Sequence, residues 1–200
     1  MDKLLPNQLK QLWQRQDQQS RSAENCYIEQ ERLIDRYRNI WVMAQCRANH
    51  QDLKASILDE LGQYMECDDL SEIQHRCQQA VSTLKKDWEG NVTEVDRKSV
   101  EQFYDESHAV IYELMWWHTL SEDVSPLAYV TALELAQQHG CHEYLDFGAG
   151  VGSGGILFAS HGFHVTLADI SSPLQQFSQW RFNNRVIPAD FFRSQSRSFT

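Results

Sequence analysis

A chain of 200 residues with a formal net charge of −10 has material for one large domain or two small ones, and its acidity argues against a nucleic-acid backbone as the main partner, since phosphate contacts need clustered Lys and Arg. Five cysteines, Cys26, Cys46, Cys67, Cys77 and Cys141, form an odd set with no C-x-x-C pair, which writes neither a disulfide framework nor a zinc site and fits a reducing compartment. No apolar run reaches membrane-spanning length and the first residues lack a signal-peptide core, so the expectation is a soluble, cytoplasmic protein without bound metal and without a membrane partner.

From Met1 to about His118 the apolar spacing is helical throughout. Leu4, Leu5, Leu9, Leu12 and Trp13 predict a short amphipathic helix, and the Gln-, Arg- and Ser-rich stretch from Gln14 to Asn25 reads as a linker. Tyr27, Ile34, Tyr37, Ile40, Trp41 and Ala44 recur at three- and four-residue steps, and Leu53, Ile57, Leu58, Leu61, Tyr64 and Met65 repeat the pattern. Ser71 with Gln74 fits a capping box opening a helix through Ile73, Cys77, Ala80, Val81, Leu84 and Trp88, which Gly90-Asn91 would stop. With no common repeat to align, these segments predict a helical bundle.

A further helix is expected over Val95 to His118. Two histidines and two tyrosines, Tyr104, His108, Tyr112 and His118, fall on or beside its apolar face, and buried polar groups of that kind need partners. Ser125 and Pro126 then open a helix carrying Leu127, Val130, Leu133 and Ala136, which Gly140 closes.

The informative stretch follows. Tyr144-Leu145-Asp146-Phe147 reads as an apolar strand ending beside a carboxylate. Gly148, Gly150 and Gly152 come next at alternate positions, then Ser153-Gly154-Gly155 and the apolar run Ile156 to Ala159. Glycines there let the backbone turn sharply and approach a ligand, while free N–H groups at the helix start favour negative charge. Gly162 turns the chain into a buried strand, Phe163 to Asp169. An acid at that place accepts both hydroxyls of an adenosine ribose. Ser172 as N-cap and Pro173 at the first helical position predict one more helix to about Arg185, and Val186 to Phe192 a third strand. Arg181, Arg185, Arg193 and Arg197 stand against Asp190 alone and read as a solvated face.

Gly150, Gly152 and Gly155 also satisfy the dinucleotide fingerprint G-x-G-x-x-G, but Asp146 faces the place a diphosphate would approach and suits a cation better. The whole segment, Asp146-x-Gly148-x-Gly150-x-Gly152 after a strand, with Asp169 ending the next one, resembles the cofactor motif of class I S-adenosylmethionine-dependent methyltransferases. Phe103-Tyr104-Asp105-Glu106 resembles the aromatic-acidic segment that precedes the core in many of them.

The resemblance implies an α/β protein: an N-terminal helical domain (1–123), then the first half of a doubly wound, mostly parallel Rossmann-like sheet (124–200). It implies S-adenosyl-L-methionine as cofactor, with Asp146, Gly148, Gly150 and Gly152 at its amino-acid end, Asp169 on the ribose and Ile170 beside adenine. His108 and Tyr104 are the candidate catalytic residues, and the acceptor is expected to be a small molecule. The family's later strands are absent between Gly152 and Thr200, and the acid that touches adenine would fall near Ser194-Gln195. This predicts a fragment, a truncated product or half of a split enzyme, its sheet completed by a partner chain or a second copy. The competing readings are a nicotinamide- or flavin-dependent oxidoreductase and a non-catalytic helical interaction module with a vestigial half-site.

Overall fold

Residues spaced for one apolar face build the first half of the chain into helices, and a computed structural model describes residues 6–17, 23–50, 52–92, 97–120 and 124–193. Leu4, Leu5, Asp123, Ser194, Gln195 and Arg197, on which the sequence placed expectations, lie outside those residues. The helices are α1 (Asn7–Asp17), α2 (Ala23–Gln45), α3 (Leu53–Tyr64) and α4 (Leu70–Asn91). The predicted linker is therefore shorter than its composition suggests, because α1 continues to Asp17 and α2 starts at Ala23.

In α2 the buried side is Tyr37 and Trp41, whereas Tyr27 is 64% exposed and drops out of the predicted stripe. Helix α3 buries Leu53, Ile57, Leu58 and Leu61, and its N-cap Asp52 accepts from the Ala55 N–H. Asp69, not Ser71, caps α4: one carboxylate oxygen accepts from the Ser71 and Glu72 N–H groups at 3.0 and 3.2 Å. The helix ends at Asn91, the second residue of the expected Gly90-Asn91 stop.

The helix expected over Val95 to His118 is broken. It divides into α5 (Arg97–Glu106), α6 (Ala109–Glu113) and a wide π-helical turn, Leu114–Thr119. The reason is tertiary: the Tyr104 carbonyl, which a continuous helix would offer to the His108 N–H, accepts from Ser171 Oγ at 2.7 Å, and Asp105 accepts from both the N–H and the hydroxyl of Ser172 at 2.9 Å. These bonds pull α5 onto the far end of the chain.

Helix α7 (Val124–Gln138) ends where Gly140 turns with φ 67°. The rest alternates as β1 (Glu143–Phe147), α8 (Ser153–Ser160), β2 (His164–Asp169), α9 (Ser172–Asn184) and β3 (Asp190–Arg193). Ser171 is the N-cap of α9, one residue earlier than predicted, so Pro173 sits in the first turn. The strands form a parallel sheet in the order β1-β2-β3, with Asp146 opposite Leu167 and Thr166 opposite Asp190. The third strand starts later than Val186, which is exposed and turns the chain with φ 56°.

One face of this sheet is packed. Tyr144 stacks on Phe158 of α8 with ring centroids 3.7 Å apart, and Val165 and Leu167 lie beneath. On the other face Leu145, Phe147 and Phe192 are 63%, 77% and 60% exposed. Tyr64 of α3 meets Phe177 and Trp180 of α9 edge-on at 4.7 and 5.4 Å. A single apolar core runs from Tyr37 and Trp41 through Ile111 and Met115 to Phe158, Phe177 and Phe182, so helical segment and sheet share one interior. Among the described residues, no helix is long and apolar enough to cross a membrane, and no His, Cys, Asp and Glu side chains cluster as metal ligands.

Candidate functional site

The loop between β1 and α8 takes its shape from backbone torsions that only glycine adopts without strain. Gly148, Gly150 and Gly152 have φ 81°, 55° and 76°. The loop is tied to the end of β2, since the Gly148 and Ala149 N–H groups bond to the Ala168 carbonyl at 2.8 and 3.1 Å. Gly150 donates its N–H to Asp169 Oδ2 at 2.8 Å, and Ser171 donates to Asp169 Oδ1 at 2.9 Å. Asp169 therefore fastens the glycine loop to the β2–α9 connection. Each carboxylate oxygen has two lone-pair sites, so acceptor capacity is left for hydroxyl donors.

Helix α8 starts with Gly152 as its cap, and among the described residues no side chain is seen to cap its first-turn N–H groups. Close beside it lies Asp146. Only 8% of that residue is exposed, and its Oδ2 is buried without a hydrogen-bond partner. Burial raises its pKa above the ordinary carboxylate value, the neighbouring charge of Asp169 adds to this, and a hydrogen bond with Tyr144 opposes it. A Cβ on Gly154 would stand 2.8 Å from Asp146 Oδ2 and 2.5 Å from Tyr129 Cε1, so glycine is required there by close approach. A buried carboxylate oxygen with nothing to accept from is a group built for a donor, best a cationic one.

The surroundings of the glycines differ. Nothing lies within 4 Å of a Cβ placed on Gly148, whereas Leu114 Cδ1 would be 2.9 Å from one on Gly150. The open side of the loop is thus at Gly148, and Ile170, 36% exposed, follows Asp169 at the same end of the sheet.

The structure brings Asp146, Gly148, Gly150, Gly152, Asp169 and Ile170 to the carboxyl ends of adjacent parallel strands, the usual ligand position in open α/β sheets. Tyr104 is attached there through its carbonyl, which accepts from Ser171, two residues beyond Asp169, and its ring is half-buried against Phe103. His108 is exposed just before α6, and its side chain caps nothing.

Sequence reasoning missed a second set of residues under the same loop. Arg181 is fully buried and donates to the Val151 carbonyl at 2.7 Å, to Ser153 Oγ at 3.0 Å and to Glu60 at 3.1 Å. Gln45 donates to the Ser153 carbonyl at 2.8 Å, and Ser153 Oγ lies 2.7 Å from Thr119 Oγ1. Arg185 bonds both oxygens of Glu60, at 2.9 and 3.0 Å. The solvated face expected of Arg181 and Arg185 is therefore wrong. The cluster of basic residues marks a buried ion pair, whose acidic partner Glu60 lies too far away in the chain for local spacing to signal it. Burial alone would push Glu60 up, but the two guanidinium groups outweigh it and hold its carboxyl below the usual range.

A groove of about 350 Å³ between α1 and α2 is lined by Arg15, Arg32, Arg36 and Glu29 among others and includes no residue of the glycine loop. Arg15 and Arg36 already face carboxylates, Glu29 at 3.6 Å and Glu134 at 3.3 Å. The orphaned oxygen of Asp146 is the better guide to a ligand.

The chain is 33% identical over 90 residues to a glycine N-methyltransferase of Rattus norvegicus and 31% identical over 90 residues to that of Mus musculus, in each case 44% of this chain and 30% of the relative. It thus spans about 30% of the length of the curated relatives it matches. No family model matches the chain and no solved structure does.

Proposed function

We propose that the chain carries part of an S-adenosylmethionine-dependent methyltransferase, comprising helices and the first half of a doubly wound Rossmann-like core. The carrying observation is the buried Oδ2 of Asp146, unpartnered among the described residues, beside a glycine loop that is open at Gly148. A dinucleotide would bring phosphates to that carboxylate, whereas the amino-acid end of S-adenosylmethionine brings an ammonium group. The partial likeness to glycine N-methyltransferases supports the same reading.

In this reading Asp146 accepts from the ammonium, and Gly148, Gly150 and Gly152 form the bed on which the amino-acid end lies. Asp169 accepts from the ribose hydroxyls while keeping its two backbone donors, and Ile170 flanks the adenine. The cofactor, when bound, supplies an electrophilic methyl group on a sulfonium, so the protein's work is largely orientation, which contributes roughly 7–11 kcal/mol in well-oriented cases. Tyr104, anchored at the β2–α9 connection, is proposed to border the acceptor, and His108 to take its proton if the nucleophile must lose one. The acceptor is a small molecule, with the amino group of glycine the first to assay because the relatives are named for it. The apolar face of Leu145, Phe147 and Phe192, uncovered among the described residues, supports packing of a further polypeptide segment on this side of the sheet, with a partner chain or a second copy as the proposed source.

Calorimetric titration tests the reading. S-adenosylhomocysteine binding in the micromolar range with no response to NADH is the expected result, and the reverse assigns the loop to an oxidoreductase. Cofactor binding that persists while no acceptor is methylated points to an interaction module with a vestigial site.

A further inference from the structure

The buried polar cluster under the glycine loop joins three separate parts of the chain. Gln45 ends α2, Glu60 lies in α3, Arg181 belongs to α9 and Arg185 caps its C-terminus, yet Gln45, Glu60 and Arg181 are all completely buried. Their donors converge on two carbonyls of one short segment, Val151 and Ser153, at 2.7 and 2.8 Å. Arg185 closes the cluster by donating to the Gln45 carbonyl at 2.8 Å.

A trans peptide is planar, so its C=O and the following N–H point in opposite directions. Holding the Val151 carbonyl against Arg181 therefore keeps the Gly152 N–H on the Ala149 carbonyl, 2.9 Å away, and holding the Ser153 carbonyl against Gln45 aims the Gly154 N–H away from the cluster. Gly154 is the residue against which Asp146 Oδ2 lies. The orientation of the first turn of α8 is thus set by side chains from the helical half of the protein and from α9.

We infer that Gln45 and Arg181 are positioning residues of the cofactor loop: they touch no ligand, and they set cofactor affinity by fixing the direction of the peptide groups from Val151 to Gly154. This rests on the methyltransferase reading for the identity of the ligand, but the clamp itself does not. A consequence is that the N-terminal helices belong to the cofactor site and are not merely a cover for the acceptor.

The test compares Gln45→Leu with Ile73→Val in the full chain. Ile73 is buried in α4 and serves as a control for general loss of stability. Amide hydrogen exchange of the 149–156 segment should be about tenfold faster in Gln45→Leu and unchanged in Ile73→Val, as expected for loss of about one hydrogen bond. The dissociation constant for S-adenosylhomocysteine should rise about tenfold in the first and stay constant in the second. Arg181→Lys, which keeps one charged donor, should fall between wild type and Gln45→Leu in both measurements. Equal loop exchange in Gln45→Leu and Ile73→Val overturns the clamp. Faster exchange with unchanged affinity overturns its link to binding. Should wild type not bind S-adenosylhomocysteine, the methyltransferase reading fails while the exchange comparison still decides the clamp.

Discussion

Glu60 and Asp146 are both carboxylates buried around one glycine loop, and the fold treats them in opposite ways. Glu60 receives two guanidinium groups at about hydrogen-bond distance, and every one of its oxygens has a donor. Asp146 has a free oxygen, a like charge nearby and only a tyrosine hydroxyl in its favour. Removing a charge from water is unfavourable in both places, so the difference lies in what compensates it. The first carboxylate is a structural element, complete without a ligand. The second is incomplete in the folded chain, and the incompleteness is what a cationic ligand would remedy.

Breaking the compensated site has the largest expected effect. Glu60→Gln leaves Arg181 buried without its counter-charge and should destabilise the protein by about 3–5 kcal/mol in urea unfolding. A paired replacement, Glu60→Leu with Arg181→Met, should lose clearly less. Equal losses would mean that the cluster acts through packing alone.

Asp146→Asn sharpens the contrast, because it should weaken S-adenosylhomocysteine binding by about 10–100-fold, the scale of one hydrogen bond to a charged group, and yet raise the stability of the ligand-free protein at neutral pH. The two measurements move in opposite directions only if the carboxylate is kept for a ligand. Lowered stability with unchanged affinity would make Asp146 another structural acid.

The pH dependence separates the pair by sign. Glu60 has a folded-state pKa below the ordinary glutamate value of 4.5, so its contribution is complete above that pH and is lost as pH falls through the depressed folded value. Asp146 is raised above the ordinary aspartate value of 3.8, so its contribution is present below that pH and is lost as pH rises through the raised folded value. Urea midpoints measured from about pH 3 to about pH 7 should therefore lose their acid limb in Glu60→Gln, while Asp146→Asn should remove the decline that follows ionisation of the buried acid.

A smaller effect is expected from Gly154→Ala, whose Cβ would meet Tyr129 and Asp146 at 2.5 and 2.8 Å. Overpacking of this kind should cost about 1–3 kcal/mol of stability. The smallest belongs to His108→Ala. An exposed side chain with no capping bond should change stability by no more than about 0.5 kcal/mol, so any fall in the proposed methyl transfer in that variant reads out chemistry and not folding.

How much of this is legible in the sequence depends on separation along the chain. Asp146, the three alternate glycines and Asp169 stand within one short unit, where spacing alone assigns strand, loop and acid, and the structure places them together as expected. The break between Glu106 and Ala109 is not legible, because the apolar period continues across it and the cause is a pair of serines, Ser171 and Ser172, that capture Tyr104 and Asp105 from 67 residues away. Arg181 is the clearest case. Its neighbours in sequence make it look like a surface cation, and only Glu60 and Gln45, 121 and 136 residues distant, turn it into a buried one.

Local chemistry thus determined which residues could form a ligand-binding loop: glycine torsions, strand periodicity and a carboxylate at a strand end act over a few residues and need no distant partner. Tertiary structure alone decided which charges are satisfied. Whether a buried carboxylate finds a guanidinium or is left open is a matter of which helices pack against it, and no period or motif in one segment records the charge carried by another.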